Sequence, residues 1–172
     1  MEQLKDKAKN EFKVVFVCTG NTCRSCMAEG IFRAASAGKA GTAAFQTISR
    51  GIQAFDGDPA SRHSVTALKT LWNIDISLHK AKSLGSGDAE EAGLLLTMTR
   101  QHRDYLRKLY PGKKEAIFTL KEYAYPELGS NSAALDISDP FGMPYQSYET
   151  CAQEIFDSVG AVLDKLSEKV EY

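Results

Sequence analysis

The chain has 172 residues, 43% of them apolar and 25% charged, the balance of one globular domain with a sizeable core. Lys and Arg number 21 against 22 Asp and Glu, so the formal net charge is −1 and no global basic field points to nucleic acid or to an anionic membrane. Any anion site has to be local.

The first twelve residues, MEQLKDKAKNEF, mix both charges and lack the apolar core of a signal peptide. They are expected to form a polar extension, with residues 13–172 as a single domain. No window is apolar over a membrane-spanning length. The four cysteines, Cys18, Cys23, Cys26 and Cys151, accordingly fit a reducing cytoplasm, where clustered thiols do chemistry or bind metal more often than they staple a fold.

Residues 13–18, KVVFVC, are a short β-branched and aromatic run without strict alternation, which predicts a parallel strand buried on both faces. A glycine-bearing loop, TGNTC, follows. In SCMAEGIFRAASA the residues Met27, Ile31, Phe32 and Ala35 then recur at helical spacing. Further strands are expected at 44–49 (AFQTIS), 93–98 (GLLLTM) and 115–120 (EAIFTL), separated by helices over SRHSVTALKTLW, TRQHRDYLRKLY and SYETCAQEIFDSVGAVLDKLSEKV. Strands alternating with helices predict an α/β fold, a doubly wound parallel sheet of about four strands. Gly, Asp and Pro cluster at 51–60 and 125–145, which are read as loops. The second is long for a compact domain, a mark of function.

The first loop carries the chemistry. Cys18 closes the first strand, and five residues separate it from Arg24 at the start of a helix. Gly20, with Asn21 tolerating left-handed backbone, lets successive backbone N–H groups turn inward as an anion nest, and the helix adds its positive end. The same field favours a thiolate, so Cys18 at the floor is a candidate nucleophile. Arg24 can hold two phosphoryl oxygens at once, which a lysine cannot copy. Thr19, Gly20, Asn21, Thr22, Cys23 and Ser25 complete the phosphate-binding set; Ser25 can donate to the thiolate, and Asn21 can pin the loop through its side chain. Two other readings compete. Cys23 and Cys26 form a CxxC, as in thiol oxidoreductases, but that motif alone explains neither Gly20 nor Arg24. As half a zinc site it lacks a second CxxC or a histidine pair.

With these residues in view, VVFVCTGNTCRSCMAEGIF resembles the phosphate-binding signature of the low-molecular-weight protein tyrosine phosphatase family, and SDPFG at 138–142 resembles its general-acid loop. The similarity runs from about residue 13 to the C-terminus and includes SRG at 49–51, ISLHKAKSL at 76–84 and TLKEY at 119–123. It implies a four-stranded parallel sheet flanked by helices, Cys18 as nucleophile, Arg24 as phosphate binder and Asp139 as general acid. It also implies a phosphorylated protein as substrate, with no metal or organic cofactor. Asp136 is a rival acid without the following proline. His63 resembles the histidine that braces the loop, with Ser49 in the same network, while His79 is read as a packing or hydrogen-bonding residue. Phe55 and Phe141 are candidate rim aromatics, and Cys23 is a candidate redox partner of Cys18. One departure is plain: Cys26 stands where the family usually has proline.

Thr22 bears on specificity. The family commonly carries isoleucine there, and two aromatics after Asp-Pro. Thr22 with DPFG resembles instead the bacterial protein arginine phosphatase branch, so the resemblance implies phosphoarginine ahead of phosphotyrosine. Thioredoxin-coupled arsenate reductases share a similar loop, but use two further cysteines in a segment matching residues 80–93, where this chain has none.

Overall fold

The computed structural model describes residues 11–39 and 45–170; most of the expected N-terminal extension and Ala44 of the second predicted strand lie outside them. The elements run β1 (Phe12–Cys18), α1 (Arg24–Ser36), β2 (Phe45–Gly51), α2 (Arg62–Trp72), α3 (Ser86–Glu91), β3 (Leu94–Thr97), α4 (Arg100–Leu109), β4 (Ile117–Thr119), α5 (Leu120–Ala124) and α6 (Tyr145–Val170). The four strands form one parallel sheet in the order β2-β1-β3-β4, as the alternation of elements predicts.

β1 shows why its sequence reads as a continuous apolar run. Val14, Phe16 and Cys18 face one helical layer, where they meet Met27, Ile31 and Phe32 of α1 and Ile155, Val159 and Val162 of α6. Val15 and Val17 face the other layer, with Ala89 of α3, Leu106 of α4, Leu95 and Ile117. Both faces are covered, so period-two alternation disappears. Phe16 and Phe32 meet edge to face at 5.7 Å and are both fully buried; truncating either to alanine is worth about 3–5 kcal/mol. Trp72 stacks on Phe156 at 4.2 Å and ties α2 to α6.

The structure departs from the sequence reading in several places: β2 runs on to Gly51, into the stretch expected as a loop, and the short helix α3 was not expected. β1 begins at Phe12, one residue inside the expected extension. The fourth strand ends at Thr119 because Thr119 caps a helix: its Oγ1 accepts from Glu122 N at 2.9 Å while Glu122 Oε2 accepts from Thr119 N at 3.1 Å. This Thr-x-x-Glu capping box is legible in TLKEY and makes it a helix start. The long loop before α6 is partly ordered by tight turns at Pro126–Leu128 and Ala133–Leu135.

The topology decides where a ligand can sit. From β1 the chain winds one way to β2 and the other way to β3 and β4, leaving a crevice at the carboxyl ends of β1 and β3. Cys18 is the last residue of β1, paired with Gly51 of β2.

Candidate active site

The loop from Cys18 to Arg24 turns under the first turn of α1. Asn21 takes a left-handed backbone, φ 56°, and its N–H points back at Cys18 Sγ, 3.3 Å away. The loop is pressed against β2 so closely that a Cβ on Gly51 would stand 2.7 Å from the Thr19 carbonyl oxygen, so only glycine fits there. The N-cap of α1, Cys23, gives no side-chain hydrogen bond to the helix, and no acid lies in the first turn; the positive helix end is left for an anion.

Asn21, wholly buried, organises what lies beneath the sulfur. Its Oδ1 accepts from Lys82 N at 2.9 Å, which fixes the amide orientation, and its two N–H bonds go to Ser25 Oγ at 2.8 Å and Ser49 Oγ at 2.9 Å. Ser49, having accepted from Asn21, donates to Glu29 Oε2 at 3.1 Å. Ser25 likewise accepts from Asn21, so its own hydrogen is directed to Cys18 Sγ, 2.9 Å away. A neutral amide thus turns a hydroxyl donor onto the sulfur, the arrangement that stabilises a thiolate.

The histidine that braces this loop is His79. Its Nε2 donates to the Asn21 carbonyl at 2.7 Å and its Nδ1 lies 3.7 Å from Glu29 Oε2. His63, expected in that role, instead packs its ring on Tyr145 and Tyr148, at 5.6 and 5.1 Å. It sits on α2, which packs against α6 rather than beneath the loop. His102, given no role from the sequence, also reaches the loop: its Nε2 is 2.9 Å from Thr19 Oγ1. Burial, with Arg24 nearby and only partly opposed by Asp139 and Asp136, pushes His102 down to about 4.

Arg24 is buried. Its Nη1 donates to the Ile137 carbonyl at 2.9 Å, its Nη2 pairs with Asp139 Oδ2 at 3.2 Å, and its buried Nε–H has no partner among the described residues. An unsatisfied buried guanidinium donor beside an open helix end fits a phosphoryl oxygen. Asp139 Oδ1 accepts from Phe141 N at 3.1 Å, an Asx turn that holds the acid loop, and the side chain stays 49% exposed. The rival Asp136 is engaged elsewhere: Arg100 binds it through backbone N–H, Nε and Nη2, at 2.7 to 3.3 Å, and these bonds hold its carboxyl below the usual range. It is anchored as a carboxylate and serves the loop, not the reaction.

A cavity of about 360 Å³ brings these groups together; Cys18, Thr22, Cys23, Arg24 and Asp139 line it, with Phe55 and Phe141 at its rim, 77% and 74% exposed. Asp58 and Gln53 also line it, and sequence reasoning passed over both. The remaining thiols are held back. Cys26, buried and hydrogen-bonded to the Cys23 carbonyl at 3.2 Å, is pushed up by burial and by the Cys18 and Cys23 charges. Burial pushes Cys151 up to about 12.

The family model for low molecular weight phosphotyrosine protein phosphatases matches residues 13–172. The chain belongs to the low-molecular-weight protein tyrosine phosphatase family. It is 32% identical over 160 residues to a protein-arginine-phosphatase of Geobacillus stearothermophilus, covering 93% of this chain and 97% of that one. It is 33% identical over 150 residues to the low molecular weight protein-tyrosine-phosphatase PtpB of Staphylococcus epidermidis, covering 87% and 96%. Among solved structures, the low molecular weight protein tyrosine phosphatase from T. tengcongensis superimposes with a TM-score of 0.79 at 42% identity, over 90% of this chain and 99% of that one. This low-molecular-weight phosphatase is therefore a protein phosphatase whose relatives divide between two phosphoamino acids.

Proposed function

We propose that this phosphatase hydrolyses phosphoarginine on cytoplasmic proteins through a cysteinyl-phosphate intermediate. The observation that carries the reading is the cavity wall: Thr22 stands beside Cys18 and Arg24, and two carboxylates, Asp58 and Asp139, face the same space. A guanidinium group presents several N–H donors in a plane, which a hydroxyl and two carboxylates can accept; a phenyl ring presents none and needs apolar walls. The arginine-phosphatase relative supports the same reading. The four free cysteines suit a reducing compartment.

In this mechanism the Cys18 thiolate, held by Ser25 and the Asn21 N–H, attacks phosphorus from the floor of the nest. Arg24 turns its free Nε–H and its Nη2 to the phosphoryl oxygens and so gives up Asp139. As general acid, Asp139 supplies the proton that the leaving nitrogen needs, and its other oxygen stays free to accept from the guanidinium group. That proton goes to the bridging guanidinium nitrogen as the phosphorus–nitrogen bond breaks, and the arginine side chain leaves as a guanidinium cation. Water then attacks the sulfur–phosphorus bond, Asp139 takes its proton, and phosphate departs with the thiolate restored.

The phosphotyrosine reading has its own support in Phe55 and Phe141, which offer an aromatic slot, and in the tyrosine-phosphatase relatives. Rates on phosphoarginine and phosphotyrosine in the same peptide separate the two. Preference for phosphoarginine is expected, and Thr22→Ile is expected to move the ratio toward phosphotyrosine by about 10-fold or more. A wild-type preference for phosphotyrosine overturns the substrate assignment and leaves the cysteinyl mechanism standing.

A further inference from the structure

A second cavity, of about 500 Å³, opens beside the catalytic one and shares two of its wall residues, Thr19 and Gln53; Ile52, Gln101, His102 and Tyr105 complete its lining. Thr19, common to both walls, is hydrogen-bonded to His102, its Oγ1 and the histidine Nε2 standing 2.9 Å apart. The floor of the second cavity is tied to the catalytic loop by main chain: Ile52 N donates to the Cys18 carbonyl and Gln53 N to the Thr19 carbonyl, both at 2.9 Å. A ligand held there is therefore held in fixed register with the nucleophile.

The lining has a distinct chemistry. It contains no Lys, Arg, Asp or Glu, and the displaced titration of His102 keeps its ring neutral near neutral pH. Gln101 and Tyr105 lie four residues apart on α4 and so project from one face of the helix. The side-chain amides of Gln53 and Gln101 and the Tyr105 hydroxyl hydrogen-bond to no other described residue. Carboxamides and a phenol offer both donors and acceptors without charge, which matches a peptide group, itself one donor and one acceptor. Ile52 and the Tyr105 ring add apolar surface for the neighbouring side chain.

We propose that this second cavity is a docking subsite for the substrate polypeptide, taking the main-chain amides next to the phosphorylated residue through Gln53, Gln101 and Tyr105. Once a phosphorylated side chain fills the catalytic cavity its main chain leaves across the rim, and the wall shared with the second cavity offers it a polar, uncharged surface. The inference rests on the phosphoprotein reading above. It extends that reading by saying what the enzyme recognises beyond the phosphoryl group.

The test uses Gln101→Ala, Tyr105→Ala and the double variant, assayed on three substrates: phosphoarginine and phosphotyrosine in one common peptide, and para-nitrophenyl phosphate. Both positions are exposed on α4, and matching thermal midpoints confirm intact folding. Loss of one neutral hydrogen bond is expected to raise the peptide KM about 2- to 10-fold per residue, with kcat unchanged and the aryl phosphate unaffected in both constants. Unchanged peptide KM in the double variant overturns the subsite, and so does an equal loss on the aryl phosphate. The two failures are separable: a wild type that prefers the phosphotyrosine peptide defeats the phosphoarginine assignment, while the KM of the variants on that peptide still decides the subsite. A wild type that turns over neither peptide better than the aryl phosphate defeats both.

Discussion

Replacing Asn21 by alanine is expected to destabilise the protein more than any other single change in the catalytic loop. The side chain makes three hydrogen bonds, to Ser25, Ser49 and Lys82 N, and the residue is wholly buried. At about 1 kcal/mol net for each, their loss amounts to about 3 kcal/mol, and the Lys82 N–H is left without its acceptor. The left-handed backbone at φ 56° adds about 1 kcal/mol for alanine, whose Cβ strains there in a way asparagine tolerates. The sum, about 4 kcal/mol, is a large part of a typical domain's 5–15 kcal/mol. Asn21→Gly loses the same bonds but not the backbone freedom, so it should recover about 1 kcal/mol. Urea unfolding of the three proteins measures this directly, with a constant m-value showing that the unfolded ensembles are alike. The Ser25 hydroxyl, no longer held from behind, should also lose its aim at Cys18, lowering kcat in both variants. A loss below about 1 kcal/mol in Asn21→Ala refutes the network as the organiser of the loop, and alanine and glycine behaving alike refutes the backbone strain.

Asp139→Asn should slow phosphorylated substrates with poor leaving groups by about 10² to 10⁴ while sparing activated aryl phosphates, and an equal loss on both means that the residue only shapes its loop. His102 gives a pH signature. Its folded value, about 4, lies below the ordinary 6.5 or so, so the unfolded chain takes up the proton first and stability falls as pH drops between those values. The full shift corresponds to about 3 kcal/mol, and solvent screening reduces this to on the order of 1–2 kcal/mol. In His102→Gln that part of the acid dependence should flatten, as followed by urea unfolding across the range; an unchanged slope refutes it. Mild peroxide should convert the Cys18 thiolate to a sulfenic acid, whose sulfur the Cys23 thiol, on the same cavity wall, then attacks, expelling the oxygen as water and leaving a Cys18–Cys23 disulfide. Mass spectrometry should find that link, with Cys26 and Cys151 reduced because burial keeps both as thiols; a Cys23–Cys26 link would restore the oxidoreductase reading.

The sequence by itself determined what depends on contiguous residues. A strand that ends in Cys18, a turn that needs Gly20 and Asn21, and a helix that starts at Arg24 form one uninterrupted stretch, so the anion nest is read from local geometry alone. The alternation of apolar strands and amphipathic helices likewise carries the parallel sheet, because each pattern answers to its own neighbours. Asp139 entered as the candidate acid through the resemblance of SDPFG, itself a contiguous string of residues. Tertiary structure decided the rest. His79 and Lys82 N reach Asn21 across 58 and 61 residues of sequence, and His102 reaches Thr19 across 83. Nothing in the residues near His63 or His79 tells which of the two rings faces the loop; that follows from the packing of α2 on α6, which draws His63 onto Tyr145 and Tyr148. The different places of Asp136 and Asp139 were likewise set in space, since one carboxylate lies against Arg100 and the other against Arg24. A hydrogen bond needs its partner within about 3 Å, and over such separations only the folded core brings two side chains that close.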